Sequence, residues 1–356
     1  MNKGDNMTFA VIGAGNTGQA IASYLSLKGE KVKLYSRDPL KAKKISYQGL
    51  ELKGMYSAKL SIEASSLMEE VIEDAEFVII TTTSFGHKQV FSKLKPLLKE
   101  NQTIAIFPGY WGAMECKEIL GDLLEEKNIT VAETSAMPFV SKADNAGSVF
   151  INKIKKNVLI SSIPTSKNAS ISNKFLETFP QLITAKNIFE TSLNNSNVVI
   201  HTPITLFNAS RIDSSEEFQF YGQGVSPLTV SYIEKLDHER IMLANLLQVE
   251  TQDILTILNE FYGADYSSLY EALPGLFPVG TAPTTLNHRY ITEDIPFGLV
   301  PISELGKKVG IETPYTDSII NTASLFMNTD YREEGVNFKD WAKEEILSAG
   351  GLTQQI

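Results

Sequence analysis

A glycine-rich segment, Gly13-Ala14-Gly15-Asn16-Thr17-Gly18, follows a short apolar run and opens a helical pattern within a βαβ unit. In this context Gly13 permits a tight turn, Gly15 lets the backbone approach a pyrophosphate, and Gly18 lets the helix pack on the strand. The anion would then lie at a helix N-terminus. The glycines could instead serve only to allow a turn with positive φ, without binding a ligand. The flanking strands and helix favour a dinucleotide site. We expect Gly13, Gly15, Asn16, Thr17 and Gly18 to form it.

The second predicted strand ends in Tyr35-Ser36-Arg37-Asp38. NAD sites usually place a carboxylate at this point, against the ribose 2′-hydroxyl. Ser36 and Arg37 stand there instead, and a hydroxyl followed by a guanidinium can hydrogen-bond and neutralise a 2′-phosphate. The pattern predicts NADP in preference to NAD. The alternative is that Asp38 takes the carboxylate role a little further along the loop, which would restore NAD.

Four histidines could supply the proton that accompanies hydride transfer to a C=O or C=N bond. His238 lies among charges on a predicted helix, where a solvated or ion-paired role is expected, and His87 is expected at an exposed helix start. His288 lies beside Arg289 in an irregular segment and stays open as a candidate. His201 lies on an otherwise apolar helix, where a buried polar side chain needs a partner. A hydrogen-bonded core histidine would satisfy the same pattern.

The sequence pattern predicts two different structural regions to position these candidate residues. The first half of the chain alternates short apolar runs with amphipathic ones, which is typical of a parallel, doubly wound sheet. Strands are predicted at Thr8–Ile12, Lys31–Tyr35, Glu76–Thr81, Thr103–Phe107 and Thr130–Thr134. From about Asn194 the pattern has long helical periods, interrupted by a Gly- and Pro-rich stretch between Asp265 and Val300.

The predicted fold is therefore α/β, with an N-terminal Rossmann sheet (1–185) followed by a mostly α-helical second domain (186–356). Within the first domain, the Val- and Ile-rich stretch from Gly147 to Ile163 contains a turn-like Lys-Lys-Asn, which predicts a hairpin or paired edge strands. It is expected to close the first domain.

Composition narrows the function further. The single cysteine, Cys116, excludes an intramolecular disulfide and a multi-cysteine zinc site. A net charge of -10 argues against nucleic acid, whose phosphates need a basic face. The chain contains no apolar run long enough for a membrane span and no signal-like start, so a cytoplasmic protein with small-molecule ligands and no membrane partner is expected.

Stretches spread over nearly the whole chain resemble the octopine and opine dehydrogenase family. They are Glu133-Thr134-Ser135, Asn194 to Asn208, Phe218-Gln219-Phe220-Tyr221, Asn287 to Tyr290, Glu293-Asp294, Gly298 to Pro301, and Leu305-Gly306 with Thr313-Pro314. The resemblance implies a Rossmann domain facing a helical domain, with NADP or NAD and the substrates in the cleft between them. It implies reduction of the imine formed between a 2-oxo acid, with pyruvate the best guess, and an amino acid.

The resemblance also implies roles for single residues. His201 and Asp294 become the catalytic pair, in which the carboxylate fixes the tautomer of the imidazole. Arg289 corresponds to an arginine that reaches the cofactor pyrophosphate. Asn197 lies one helical turn before His201 and is placed to hydrogen-bond substrate or nicotinamide, unless it caps a neighbour. Tyr221 is expected to line the amine pocket, although a packing role explains it equally well.

Two stretches depart from the family pattern. Ser141-Lys142 replaces an arginine found in many relatives, so recognition of the substrate carboxylate falls to the point charge of Lys142. Thr82-Thr83-Ser84 occupies a loop where relatives tend to carry a proline. The identity of the 2-oxo acid stays open.

Two other functions stay open at this stage. Ketopantoate reductases and glycerol-3-phosphate dehydrogenases share the two-domain plan, but they usually transfer the proton from a lysine, and the Asn194 helix has no clear lysine. A cofactor-binding sensor without catalysis would be expected to have a broken dyad. The amine partner, and whether the protein is a homodimer, cannot be derived from the sequence.

Overall fold

The computed structural model describes residues 7–144 and 147–352. The chain divides into two compact units, Met1–Ile188 and Phe189–Ile356. The sequence pattern placed the boundary after residue 185. The first unit is α/β and the second is mostly helical, which confirms the predicted fold class.

The first unit is built on an eight-stranded sheet with the order β12-β11-β8-β7-β6-β1-β2-β5. All neighbouring strands in it are parallel except β8 and β11. Its strands are β1 (Thr8–Ile12), β2 (Lys31–Tyr35), β5 (Glu63–Ser65), β6 (Phe77–Ile80), β7 (Thr103–Ile106), β8 (Thr130–Thr134), β11 (Val158–Ile163) and β12 (Leu182–Thr184). The helices of this unit are α1 (Asn16–Leu27), α2 (Pro39–Gln48), α3 (Met68–Ile72), α4 (His87–Leu94), α5 (Gly112–Leu120), α6 (Leu123–Glu126) and α7 (Asn168–Thr178).

Burial explains the pattern of the central strands. The strands β6, β7 and β8 are buried at every residue, as expected for a parallel sheet covered on both faces. Because parallel strands end at the same edge, the segments that follow β1, β2 and β6 lie side by side. This edge is where doubly wound sheets bind their ligands.

A second sheet in this unit corrects one prediction. It has the order β4-β3-β10-β9, with β3 (Leu50–Gly54), β4 (Ala58–Leu60), β9 (Phe139–Asp144) and β10 (Ser148–Ile154). The expected hairpin between residues 147 and 163 is wrong, because β10 pairs with β9 and β3 whereas β11 joins the main sheet beside β8. The turn at Asn157, with φ 53, carries the chain from one sheet to the other.

The second unit consists of helices, and no strand is assigned among its described residues. Its helices are α8 (Ile188–Leu193, beginning on the last residue of the first unit), α9 (Ser196–Phe207), α10 (Ala209–Asp213), α11 (Pro227–Leu246), α12 (Ile254–Tyr262), α13 (Leu269–Leu276), α14 (Arg289–Thr292), α15 (Val300–Val309), α16 (Pro314–Met327), α17 (Tyr331–Glu334) and α18 (Lys343–Gly350). A π-helical turn, Ile295–Leu299, separates α14 from α15. The stretch between Asp265 and Val300 is thus more regular than its glycines and prolines suggest.

A buried ion pair ties the helices of the second unit together. Arg240 and Asp237 lie one turn apart on α11, and both are almost fully buried. The Arg240 guanidinium also donates to the carbonyls of Leu193 and Gln252, while Asp237 accepts from the amide of Ile254. Every charge is therefore compensated, which buried ions require. Among the described residues, no helix is long and apolar enough to cross a membrane.

Candidate active site

The glycine-rich loop leaves β1 at the ligand-binding edge of the main sheet. Gly13 has φ +116, which favours glycine, and its amide donates to the carbonyl of Tyr35 at 3.1 Å. Thr81, at the end of β6, donates its hydroxyl to the carbonyls of Ile12 and Gly13 at 3.0 and 3.1 Å. Three strand ends therefore hold the turn in one conformation.

Gly15 and Gly18 serve different purposes in this loop. A Cβ atom on Gly18 would lie 1.6 Å from the carbonyl oxygen of Gly13, so close packing of α1 on the turn requires glycine there. A Cβ atom on Gly15 would meet nothing within 4 Å. Gly15 is the N-cap residue of α1 and provides no side-chain acceptor for the first amides of the helix. This open, uncapped N-terminus fits a dinucleotide pyrophosphate.

The side chain of Asn16 ties the loop to the second sheet. Its Oδ1 accepts from the amide of Ala143 on β9 at 3.0 Å. Lys142 precedes Ala143 on the same strand, and its side chain is exposed. A positive charge therefore lies one residue away from the point where Asn16 contacts β9. Thr17 is partly exposed in the first turn of α1.

The segment after β2 shows what Asp38 does. Its Oδ1 accepts from the amides of Leu40 and Lys41 at 2.9 and 3.2 Å, so the carboxylate is the N-cap of α2. Ser36 is buried and its Oγ accepts from the amide of Asp38 at 3.3 Å, whereas the side chain of Arg37 is exposed. The carboxylate is thus already engaged, and the exposed cation stands at the strand end.

In the second unit the structure brings His201 and Asp294 together. The Nδ1 atom of His201 lies 2.7 Å from Oδ2 of Asp294. Asp294 is fully buried and His201 is 8% exposed. A buried carboxylate on Nδ1 fixes a proton on that nitrogen and leaves Nε2 as the acceptor of the neutral ring.

A glycine explains how these two residues meet. Asp294 begins the π-helical turn Ile295–Leu299, and Gly298 within that turn packs on Val198 of α9. A Cβ atom on Gly298 would lie 2.1 Å from Cγ1 of Val198. Because α9 carries His201 one turn further on, this close approach sets the distance between the imidazole and the carboxylate. Single π-helical turns are often found at functional sites.

Aromatic side chains surround His201. The Tyr221 hydroxyl lies 2.9 Å from Nε2, and the Tyr290 ring stacks on the imidazole with centroids 4.0 Å apart. Phe220 packs edge-on against Tyr221, whose other side contacts Phe277. Burial, followed by the nearby Tyr290 hydroxyl, raises the pKa of Tyr221 well above its ordinary value.

The remaining candidates in this unit have separate partners. Arg289 on α14 is exposed and its Nε lies 3.0 Å from Oε2 of Glu293. Asn197 lies in the first turn of α9 and is partly exposed. His288 caps α14, with its Nδ1 accepting from the amide of Tyr290 at 3.4 Å, and burial, followed by the charges of Arg289 and His201, lowers its pKa.

The structure corrects the expectation for His87, which is buried and not an exposed helix start. Its Nδ1 lies 3.7 Å from Oε2 of Glu115 on α5, yet neither ring nitrogen nor that oxygen has a hydrogen-bond partner. Burial lowers the pKa of His87 to about 4 and raises the pKa of Glu115 to about 7. Between about pH 4 and pH 7 the two groups are therefore a buried neutral pair and not an ion pair.

The shifted pKa values of His87 and Glu115 predict how the free energy of unfolding depends on pH. The lowered pKa of His87 makes stability rise with pH between about 4 and 6.5, whereas the raised pKa of Glu115 makes stability fall between 4.5 and about 7. In the wild type the two slopes cancel over most of this window. Glu115→Gln removes the fall, so the variant should gain about 3 kcal/mol relative to wild type as the pH rises from 4.5 to 8. Urea unfolding at both pH values measures the gain.

Glu125→Gln, an exposed position on α6, is the matched control and should show the same difference from wild type at both pH values. A Glu115→Gln variant whose difference from wild type does not change with pH would contradict the neutral-pair description.

Comparison with known proteins places these observations in a family. The opine dehydrogenase of Arthrobacter sp. (strain 1C) is 32% identical over 352 residues, covering 97% of this chain and 98% of that protein. The chain belongs to the opine dehydrogenase family. A second relative, protein ocs of Agrobacterium tumefaciens (strain Ach5), is 25% identical over 92% of both chains.

Two family models match this opine dehydrogenase chain, one mostly within each of its two units. The model described as the NAD/NADP octopine/nopaline dehydrogenase alpha-helical domain matches residues 184–327, and the model of ketopantoate reductase PanE/ApbA matches residues 9–135. The ketopantoate reductase match is confined to the first unit, so the ketopantoate reductase alternative is not favoured. The protein is an NAD(P)-dependent oxidoreductase.

The fold agrees with solved members of the family. An octopine dehydrogenase in complex with NADH and agmatine has a TM-score of 0.78 at 18% identity and covers 99% of this chain and 100% of its own. A yersinopine dehydrogenase with NADP+ bound has a TM-score of 0.72 at 15% identity, over 96% of this chain and 95% of its own.

Sequence reasoning missed several residues around the opine dehydrogenase candidates. Nothing in the spacing indicated that Tyr290 would stack on His201 or that the Tyr221 hydroxyl would lie on Nε2. The adjacent aromatic residues Phe220 and Tyr221 and the pair His288-Arg289 before Tyr290 were the available signals. Among the described residues, no cluster of His, Cys, Asp and Glu is suited to a metal ion.

Proposed function

We propose that this opine dehydrogenase condenses a 2-oxo acid, pyruvate in the first instance, with the amino group of an amino acid and reduces the resulting imine to a secondary amine. The observation that carries the proposal is the buried contact between Nδ1 of His201 and Oδ2 of Asp294 at 2.7 Å. An octopine dehydrogenase of the same fold has been solved with NADH and pyruvate, and another structure of it with NADH and L-arginine. Both substrate classes therefore fit the family.

The condensation requires a group that first accepts a proton and later donates one. The amino group must lose a proton before it attacks the keto carbon, and the hydroxyl of the resulting carbinolamine must gain one to leave as water. A histidine held by a buried carboxylate can do both, since Asp294 stabilises the imidazolium and fixes its orientation. Bound NAD(P)H supplies the hydride that reduces the C=N bond.

The other candidates take binding roles in this proposal. The first unit binds the dinucleotide through the glycine-rich loop, Ser36 and Arg37, and Lys142 attracts a substrate carboxylate. The second unit is the catalytic and substrate domain, in which Asn197 hydrogen-bonds substrate or nicotinamide. Arg289, whose Nε lies 3.0 Å from Oε2 of Glu293, supplies a positive charge for the cofactor pyrophosphate.

The proposed function is tested by NADPH and NADH oxidation with pyruvate alone, with each amino acid alone and with both together. Oxidation that requires both substrates supports imine reduction. Pyruvate-dependent oxidation that no amino acid stimulates would instead indicate a reductase of free 2-oxo acids. A complete screen with pyruvate, 2-oxobutyrate and oxaloacetate that shows no amine-dependent turnover would refute the proposal.

The strand end after β2 predicts a preference for NADPH. Arg37 can pair with a 2′-phosphate, Ser36 can hydrogen-bond it, and the Asp38 carboxylate is held by the first amides of α2. Hydrogen bonds to charged groups contribute about 1.5–3 kcal/mol, and the exposure of Arg37 places it at the lower end, so we expect roughly a tenfold preference in kcat/KM. Arg37→Ala should abolish this preference, and Ser36→Asp should reverse it.

Lys43→Ala is the matched control, since Lys43 is an exposed cation on the same helix that follows the loop. Its cofactor ratio should equal that of the wild type. A wild type that prefers NADH, or an Arg37→Ala variant with an unchanged ratio, would overturn the 2′-phosphate assignment without affecting the proposed reaction.

A further inference from the structure

The imidazole of His201 has little surface left for a substrate. Its Nδ1 is held by Asp294 at 2.7 Å, and its Nε2 lies 2.9 Å from the hydroxyl of Tyr221. The stacked ring of Tyr290 covers one face at a centroid distance of 4.0 Å. The residue is 8% exposed, so a substrate meets the neighbours of the ring before it meets a ring nitrogen.

Tyr221 is the outer member of this arrangement. Unlike His201 and Asp294 it is partly exposed, while its ring is fixed between Phe220 and Phe277 with centroid distances of 5.0 and 4.5 Å. Because Asp294 holds a proton on Nδ1, the Tyr221 hydroxyl donates to Nε2 of the neutral ring. The phenolic oxygen also hydrogen-bonds with the Tyr290 hydroxyl, and of its two lone pairs one remains to accept a proton from the substrate.

From this geometry we propose that Tyr221 is a further catalytic residue, whose hydroxyl is the atom through which His201 exchanges protons with the bound substrates. The inference rests on the proposed function and deepens it, because it assigns the group that touches the reacting amine and carbinolamine. Asp294 and His201 act on the substrate through this hydroxyl.

The proton balance closes over the condensation. Two protons travel from the nitrogen to the keto oxygen by this route. In the first pass the ammonium loses a proton to the Tyr221 oxygen while the Tyr221 proton moves to Nε2; the amine attacks the keto carbon, and the same route in reverse delivers the proton to the keto oxygen, which becomes the carbinolamine hydroxyl. In the second pass the attached nitrogen loses another proton to Tyr221 and Nε2, and its return to the hydroxyl breaks the C–O bond, releases water and forms the C=N bond of the iminium, so Tyr221 and His201 end as they began.

The surrounding groups favour a hydroxyl that passes protons without holding a charge. Burial and Tyr290 raise the pKa of Tyr221 well above its ordinary value, with smaller contributions from Tyr262 and Asp294. A standing tyrosinate is therefore disfavoured, and each proton that leaves the oxygen must be replaced from Nε2 in the same step. The titratable groups that act electrostatically on Tyr221 include Tyr290, Tyr262 and Asp294, and those that act on His201 include His288, which itself interacts with Arg289.

The test compares Tyr221→Phe with the wild type and with Tyr232→Phe. Phenylalanine keeps the ring between Phe220 and Phe277 and removes only the hydroxyl. Tyr232 is the matched control, because its hydroxyl donates to the backbone carbonyl of Tyr315 and not to a histidine. We expect kcat for amine-dependent oxidation to fall about 10²-fold in Tyr221→Phe, with KM for NADPH unchanged and a flattened pH profile of kcat, and no change in Tyr232→Phe.

Thermal unfolding and NADPH fluorescence titration show whether Tyr221→Phe is folded, and kcat is measured at a temperature where it is. A wild-type kcat and pH profile in Tyr221→Phe would overturn the inference, as would a variant whose only defect is a raised KM for the amino acid. Failure of the proposed function looks different, because the wild type itself would then show no amine-dependent oxidation.

Discussion

His201→Gln is expected to lower kcat for amine-dependent NADPH oxidation by about 10²–10⁴-fold, the range that general acid–base groups contribute. Glutamine keeps a polar side chain near Asp294 and Tyr221 but cannot accept and return a proton. The glycine-rich loop belongs to the other unit, so the Kd for NADPH should stay within about twofold of wild type by fluorescence titration.

Two further variants sharpen this result. Asp294→Asn should also be severely impaired, because the amide cannot hold the Nδ1 proton and leaves the imidazole in the wrong tautomer. His238→Gln on α11 is the matched control: this histidine is exposed and far from the dyad in the chain, and its kcat should equal that of the wild type. If His201→Gln keeps near wild-type turnover and an unchanged pH profile, His201 is not the general acid–base group and His288 becomes the next candidate.

Gly18→Ala should weaken NADPH binding by about fivefold to more than a hundredfold. The added Cβ would lie 1.6 Å from the carbonyl oxygen of Gly13, so α1 and the turn must move apart. Forced shifts of this kind cost about 1–3 kcal/mol, and the same movement displaces the amides that face the pyrophosphate. We expect both a lower Tm and a higher Kd, measured by thermal unfolding and fluorescence titration.

Gly15→Ala separates the effect on cofactor binding from the effect on protein stability. Its Cβ would meet no protein atom within 4 Å, and φ of -78 suits alanine, so the Tm should not change. The Cβ would still occupy the space that a pyrophosphate approaches, so the Kd should rise about tenfold. Gly147→Ala, with open space around it, should change neither quantity. If Gly15→Ala binds NADPH as tightly as the wild type, the pyrophosphate lies elsewhere.

Local patterns predicted the first unit well because their causes are local. The alternation of β1, the glycine-rich loop and α1 is a continuous segment, and each of its glycines has a reason in the turn or the packing. The hairpin between residues 147 and 163 failed for the opposite reason. Two adjacent apolar strands joined by a turn carry no signal that β10 pairs with β3, a strand formed about a hundred residues earlier in the chain.

The candidate site shows the same limit. His201 and Asp294 are 93 residues apart, and no periodicity relates them, so their pairing came from family resemblance and not from spacing. The physical cause of their contact is the π-helical turn and the missing Cβ of Gly298, neither of which the sequence displays as a pattern. The burial of His87 beside Glu115 was also invisible, because a polar residue next to Gly86 and Lys88 gives the pattern of an exposed helix start.

The reductive condensation itself is tested most directly by following the hydride. The protein is incubated with pyruvate, a ¹⁵N-labelled amino acid accepted in the substrate screen and NADPH that carries deuterium at the transferred position of C4, and the products are analysed by mass spectrometry. The proposed function predicts a secondary amine that contains both the ¹⁵N of the amino acid and one deuterium on the former keto carbon of pyruvate. Deuterium that appears only in lactate, with the labelled amino acid unchanged, would contradict it.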